Sequence, residues 1–238
     1  MLQEVISGSG GFQWPFYLGL YGNYTIHNYA VGGAVCAHSL TPLEGAPDVS
    51  TAQKDWFVED HIENPGTSSQ QLLLDPESFV VIMFVGTNDV GFNSFVTNDN
   101  RPNVSLVDVA DCQMDSIRRL HALGARQFIL NSLAPLQLTP LYSGSDDATI
   151  MYPAHNGTAW HRSMYNLVRS LNRMLLDGAR ALNEEWRGDG HIAWFNTYDF
   201  FQEIYDHPAQ YFNGSIPANV TGHCRQCSDP NDPKTCDE

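Results

Sequence analysis

One continuous apolar run, Phe79 to Val85, constrains the fold of this chain more than any other segment. The run has no polar residue and is rich in β-branched side chains. Such a run is typical of a strand buried on both faces, as in a parallel sheet. Gly86-Thr87-Asn88-Asp89 follows directly. In an open parallel sheet, functional loops lie at the carboxyl ends of the strands, so this loop is a candidate site.

The remaining hydrophobic periodicity predicts strands alternating with helices. Further strands are predicted at Thr25–Val31, Arg126–Leu133 and His191–Asn196. Helices are predicted at Thr51–Glu59, Leu106–Leu123, Ala159–Trp186 and Thr197–Tyr205. This order predicts one domain over residues 1–238, a flavodoxin-like three-layer α/β/α sandwich with a mostly parallel sheet.

Charge excludes two classes of partner. Asp and Glu outnumber Lys and Arg by 27 to 12, which gives a net charge of −15. Such a surface repels phosphate backbones, so nucleic-acid binding is not expected. The only lysines are Lys54 and Lys234, and no apolar run is long enough for membrane insertion. The oligomeric state is left open by the sequence.

Cysteines and glycosylation motifs favour a secreted protein, although no signal peptide is visible at Met1. The Asn-x-Ser/Thr motifs are at Asn23, Asn103, Asn156, Asn213 and Asn219. The cysteines are Cys36, Cys112, Cys224, Cys227 and Cys236, three of them in a Cys-rich loop at 222–238. Disulfides are favoured, because a structural zinc site needs a second ligand pair beside Cys224-x-x-Cys227.

A second glycine-containing loop, Gly32-Gly33, follows the predicted strand Thr25–Val31. Two strand ends therefore supply a glycine N–H and the amide of Asn88, and two such donors aimed at one point form an oxyanion hole. The competing interpretation is that Gly86–Asp89 is only a tight turn, since Gly, Asn and Asp all favour turns.

These blocks resemble those of the SGNH hydrolases, or GDSL lipases and esterases. Gly86-Thr87-Asn88-Asp89 is similar to the third block (G-x-N-D) of that family, and Asn28–Gly33 resembles the second (N-[FY]-A-x-x-G). Flanking segments resemble fungal secreted carbohydrate esterases, among them Trp14-Pro15, Leu40-Thr41-Pro42 and Asn219–Gly222. The resemblance spans nearly the whole chain.

The resemblance implies a Ser-His-Asp esterase acting on acetyl or other short acyl esters of carbohydrates, without metal or organic cofactor. It implies an oxyanion hole formed by Gly33 and Asn88, with Gly86 and Asp89 in supporting positions. Small-molecule or polysaccharide esters are the expected substrates.

The sequence departs from the family at both ends. It contains no Gly-Asp-Ser, and it ends before a D-x-x-H-P block. We therefore expect a chain truncated at both ends, without the family's first strand and last helix and without activity of its own. Ser7 and Ser9 follow no strand and indicate a linker, and Asp206-His207-Pro208 indicates a helix end. The alternative is a non-catalytic carbohydrate-binding pseudoenzyme, with Trp14, Trp56 and Trp160 contacting sugars.

Overall fold

The computed structural model describes residues 12–43, 45–146, 154–212, 214 and 218–222, together with the backbone of residues 226–227 and 236–237. The helices are α1 (Trp14–Gly22), α2 (Lys54–His61), α3 (Thr87–Val90), α4 (Leu106–Ala122), α5 (Gly157–Trp186), α6 (Thr197–Asp206) and α7 (Pro208–Tyr211). The strands are β1 (Ile62–Glu63), β2 (Gln71–Leu72), β3 (Val81–Met83), β4 (Gln127–Asn131), β5 (His191–Phe195), β6 (Gln226–Cys227) and β7 (Cys236–Asp237). A π-helical turn, Val49–Gln53, precedes α2, and 3₁₀ turns span Leu136–Leu138 and Pro140–Tyr142.

A three-stranded parallel sheet in the order β3-β4-β5 forms the centre of the molecule. Met83 lies beside Leu130, which in turn lies beside Trp194. Parallel neighbours need a crossover connection, and α4 and α5 provide the two crossovers. The predicted mixed α/β class with a parallel sheet is therefore confirmed.

The helix α4 forms where the sequence places a cap and an apolar stripe together. Ser105 and Asp108 form a capping box, in which the Asp108 carboxylate accepts the Ser105 N–H at 2.7 Å. Val109, Ile117 and Leu120 then fall on one buried face of the helix. This face packs against α5, which buries its own stripe against the same core.

The two faces of the sheet differ in how far they are covered. One face carries Met83, Phe128 and Leu130, which are buried in the main core. Side chains of the opposite face include Phe84 and Phe195, which are 42% and 47% exposed. Strand side chains alternate between faces, so the helices α4 and α5 cover one face and leave much apolar area on the other.

The predicted strand at Thr25–Val31 is wrong: this segment is neither strand nor helix and belongs to no sheet. A strand needs a hydrogen-bonded neighbour, and within the described residues β3 pairs with β4 alone. The Asn28 side chain instead accepts the Ala30 N–H at 3.1 Å, which gives the segment a local turn. The short helix expected at Thr51–Glu59 occurs slightly later, as α2.

Two short antiparallel pairs complete the described part. The strands β1 and β2 pair Ile62 with Leu72, and β6 and β7 place the backbone of Cys227 beside that of Cys236. The zinc alternative for the Cys-rich loop concerns side chains outside the described residues, as does a nucleophilic role for Ser7 or Ser9. None of the described helices is long and apolar enough to span a bilayer.

We expect the 238-residue chain to unfold without a sharp thermal transition, because one sheet face is partly exposed and one edge of β3 has no partner strand among the described residues. Circular dichroism at 222 nm, recorded during heating, tests this expectation. A steep, reversible transition with two-state character would contradict it.

Candidate active site

The Gly32-Gly33 loop is a tight turn that requires glycine for its backbone conformation. The Ala34 N–H donates to the Val31 carbonyl at 3.2 Å, and Gly33 has a φ of 86°. A positive φ at the third residue of a turn favours glycine strongly. Gly33 is exposed, and among the described residues no acceptor binds its N–H. That N–H is therefore available to a ligand.

The second loop begins at Gly86, just beyond the end of β3. Gly86 has a φ of 119°, and a Cβ there would lie 3.0 Å from both the Gln113 amide nitrogen and a methyl carbon of Leu133. Both the backbone conformation and the close packing therefore require glycine. The short helix α3 starts at the next residue and carries Asn88 and Asp89.

A hydrogen bond between side chain and backbone brings the two loops together. Asn88 Nδ2 donates to the Ala34 carbonyl at 2.8 Å, and Ala34 is the immediate neighbour of Gly33. An amide nitrogen carries two hydrogens, so one of the two remains for another acceptor. The structure thus places the Asn88 amide beside the Gly33 turn, at the carboxyl end of β3.

Asp89 holds the segment that follows Gly33. Its carboxylate is fully buried, both of its oxygens lie 3.1 Å from the Cys36 nitrogen, and the Thr41 hydroxyl donates to Oδ1 at 3.2 Å. The Asp89 carbonyl accepts the Ser94 hydroxyl. Burial raises the pKa of Asp89 to about 6, because these hydrogen bonds offset only part of the cost of burying a charge.

A disulfide connects the same segment to the helical layer. Cys36 is bonded to Cys112, which lies on α4, 76 residues further along the chain. A disulfide was expected from the cysteine content, but the sequence did not identify this pair. The segment from Gly33 to Thr41 is therefore fixed both to Asp89 and to α4.

Tyr29 holds the other side of the Gly33 turn. Its hydroxyl donates to Asp60 Oδ2 at 2.8 Å and lies 3.0 Å from His61 Nε2. Because the single hydroxyl hydrogen goes to Asp60, His61 Nε2 must be the donor in the second bond. Burial and the Asp60 carboxylate raise the pKa of Tyr29, while burial and the nearby His27 lower the pKa of His61.

Two other polar side chains at this end of the sheet form hydrogen bonds within the protein. Asn131 Nδ2 donates to the Met83 carbonyl at 3.2 Å, and the buried Ser132 oxygen accepts the Tyr198 N–H at 2.9 Å. Ser132 therefore offers no exposed nucleophile.

Two histidines outside the two loops are held by backbone carbonyls. His38 Nε2 lies 2.9 Å from the Ala46 carbonyl, and His161 Nδ1 lies within 3.1 Å of two carbonyls. A carbonyl accepts only, so each of these nitrogens is a donor. The expected helix end at His207 is confirmed, since α6 ends at Asp206.

A cleft lies at the opposite end of the sheet. It has a volume of about 520 Å³ and is lined by Arg126, Gln127, Asp189 and His191 among others, at the amino ends of β4 and β5. Loops at that end seldom carry the chemistry of a parallel sheet, so the candidate site is assigned to the two loops at the carboxyl end. In the described part of the chain, no cluster of His, Cys, Asp or Glu suits a metal ion.

Sequence comparison identifies the family of this chain. The sequence profile of the GDSL-like lipase/acylhydrolase family matches residues 3–224. The chain belongs to this family. An acetylesterase from Hypocrea jecorina is 24% identical over 235 residues, covering 93% of this chain and 66% of that protein. A GDSL esterase/lipase from Arabidopsis thaliana is 26% identical over 201 residues, covering 82% of this chain and 51% of that protein.

The chain therefore spans about two thirds and about half the length of these two relatives. Both relatives are named as ester hydrolases, in keeping with the family. The groups that sequence reasoning missed are the Cys36 N–H, Thr41 and the Tyr29–His61 pair. A signal existed for Thr41, because it lies in the quoted Leu40-Thr41-Pro42 segment, but nothing in the sequence linked it to Asp89.

We expect an Asp89→Asn variant to show that the buried carboxyl titrates with a raised pKa. The pKa of Asp89 is about 6 in the fold, against an ordinary value of 3.8, so the folded chain holds this proton more tightly than the unfolded chain does. The stabilising contribution of the proton is fully present below pH 3.8 and is lost as the pH rises through about 6. The free energy of unfolding of the variant, measured relative to that of the parent, should therefore rise by about 3 kcal/mol as the pH increases from about 4 to about 7.

Urea titrations of both proteins across this range measure the difference. Asp199→Asn, a change at an exposed carboxylate on α6, serves as the control and should follow the parent. A constant difference between the Asp89 variant and the parent would contradict the expectation.

Proposed function

We propose that this chain forms the greater part of a carboxylic ester hydrolase of the Ser-His-Asp type, with Gly33 and Asn88 as its oxyanion hole. The observation that supports this most directly is the hydrogen bond from Asn88 to the Ala34 carbonyl. It brings a side-chain amide next to a backbone N–H that no described residue accepts. Gly86 supports the site because it lets the loop after β3 pack closely against its surroundings. Asp89 supports the site because it binds the segment that follows Gly33.

The chemistry follows from where charge develops. When a serine oxygen attacks an ester carbonyl, the carbonyl oxygen becomes an anion, and the two N–H donors stabilise it. Losing one such donor costs about 3–4 kcal/mol in the transition state. In this proposal the serine, the histidine and the aspartate come from sequence beyond these 238 residues, and no metal or organic cofactor takes part.

For substrate we propose acetyl or other short acyl esters of carbohydrates, met outside the cell. The named activity of the Hypocrea jecorina relative supports an acetyl group. The exposed indoles of Trp14 and Trp56 suit the apolar faces of sugar rings. The Cys36–Cys112 disulfide and the glycosylation motifs support secretion.

The second candidate function is carbohydrate binding without catalysis. It is favoured by the absence of a Gly-Asp-Ser block from the sequence and by the exposed aromatic side chains. The two candidate functions predict different coding sequences on either side of codons 1 and 238. In-frame Gly-Asp-Ser and Asp-x-x-His blocks there would exclude the binding candidate.

The esterase proposal predicts turnover of p-nitrophenyl acetate by the protein extended with its flanking coding sequence. The 238-residue chain alone should give no more p-nitrophenol than buffer, because its sequence contains neither a Gly-Asp-Ser nor an Asp-x-x-His block. Release of p-nitrophenol at 405 nm measures both rates. If the extended protein is folded and fails to turn over the ester, the esterase proposal is wrong.

In that extended protein, Asn88→Ala should lower kcat by about 100-fold to 1000-fold with little change in KM, because the donor acts on the oxyanion and not on the bound ester. Asn166→Ala, an exposed position on α5, is the matched control and should keep the parent kcat. A rise in KM with an unchanged kcat would assign Asn88 to substrate binding instead.

A further inference from the structure

The helix α1 is apolar on all sides and yet lies at the surface. Trp14, Tyr17 and Leu20 are each at least 40% exposed, and Tyr21 at its end is 81% exposed. A helix that is apolar all round is normally buried, and a contiguous exposed patch of this kind usually has a covering partner. No Asp, Glu, Lys or Arg occurs between Glu4 and Glu44, so the covering group should be uncharged.

An Asn-x-Thr motif lies directly at the end of this helix. Asn23 ends α1 in the left-handed conformation, with a φ of 55°, and both Asn23 and Thr25 are exposed. A Cβ on Gly22 would lie 2.2 Å from the Tyr24 ring, so this ring lies over the Gly22 backbone. Tyr21, two residues before Asn23, is largely exposed to solvent at the same turn.

We propose that Asn23 carries an N-linked glycan whose first N-acetylglucosamine packs against the Tyr21 ring. The C–H face of a pyranose is apolar and stacks on an aromatic face, as other flat apolar groups do. The sugar is neutral and amphipathic, which matches an aromatic surface without formal charges. The covering partner of this end of α1 is then a group attached to the chain itself.

The modification transfers an oligosaccharide from a lipid donor to the side-chain amide of Asn23. In the secretory pathway, the donor is an oligosaccharide attached through C1 to a lipid diphosphate. The Asn23 side-chain nitrogen forms a bond to C1, the bond from C1 to the diphosphate oxygen breaks, and the amide loses one proton. The Thr25 hydroxyl completes the motif that the transferase requires.

Other described motifs lack this combination. Asn103 is also exposed and left-handed, with a φ of 64°, but the residue two positions before it is Arg101. Asn156 caps α5 by accepting the Ala159 N–H through Oδ1 at 2.9 Å, and the residue two positions before it is Ala154. Asn103 is therefore a matched comparison, which has the same backbone conformation without the ring.

This inference rests on the proposed secretion and not on the proposed esterase activity. The test uses the full chain secreted from a eukaryotic host and trimmed enzymatically to a single ¹³C-labelled N-acetylglucosamine at each occupied motif. Peptide mass spectrometry of the denatured protein gives the occupancy of each motif. Two-dimensional NMR of the labelled sugar then reports whether its protons lie over an aromatic ring. Neither readout uses catalysis.

We expect Asn23 to be occupied and this occupancy to be lost in Thr25→Val, which leaves Asn23 in place. Sugar protons on Asn23 should be shifted upfield of those on Asn103, and the shift should disappear in Tyr21→Leu. In Arg101→Tyr the sugar on Asn103 should acquire the same upfield shift.

An unmodified Asn23 in the secreted protein would overturn the proposal. So would failure of the chain to be secreted and glycosylated in a host that glycosylates a control protein. Sugar resonances of Asn23 that equal those of Asn103, or that Tyr21→Leu leaves unchanged, would overturn the packing on Tyr21.

Discussion

The buried carboxylate of Asp89 is the interaction on which the candidate site depends. Burying a charge is costly unless hydrogen bonds replace its hydration, and here the Cys36 N–H and the Thr41 hydroxyl replace part of it. Both donors belong to the segment after Gly33, whereas the acceptor belongs to the loop after β3. The Asp89 carboxylate thus holds together two segments about fifty residues apart, because a buried carboxylate without hydrogen-bond donors would be costly.

The other connections act in the same direction. Asn88 binds the Ala34 carbonyl, Cys36 is joined to α4 through Cys112, and Tyr29 is bonded to the end of α2. The Gly33 turn is therefore held on both sides, and of these groups Asn88 alone is a donor in the proposed reaction. Such positioning before substrate arrives is what makes hydrogen-bond donors effective in a transition state, since no reorganisation is needed later.

How much the sequence could predict depended on whether the deciding contact was local. The apolar run before Gly86, the capping box of α4 and the stripes of α4 and α5 are local signals, and these elements occur close to their predicted bounds. The expected strand at Thr25–Val31 failed because a strand also needs a neighbour, which its own residues do not specify. The bond from Asp89 to the Cys36 N–H was out of reach for the same reason, since a backbone group leaves no mark in the sequence.

The open edge of β3 has a consequence for the behaviour of the protein at high concentration. Its outward N–H and C=O groups have no partner strand in the described part of the chain, and Phe84 beside them is exposed. An unprotected edge next to apolar side chains is a template on which a second molecule can add a strand. Dilution, a molecular chaperone or an added β-strand should therefore govern solubility more than the net charge of −15 does.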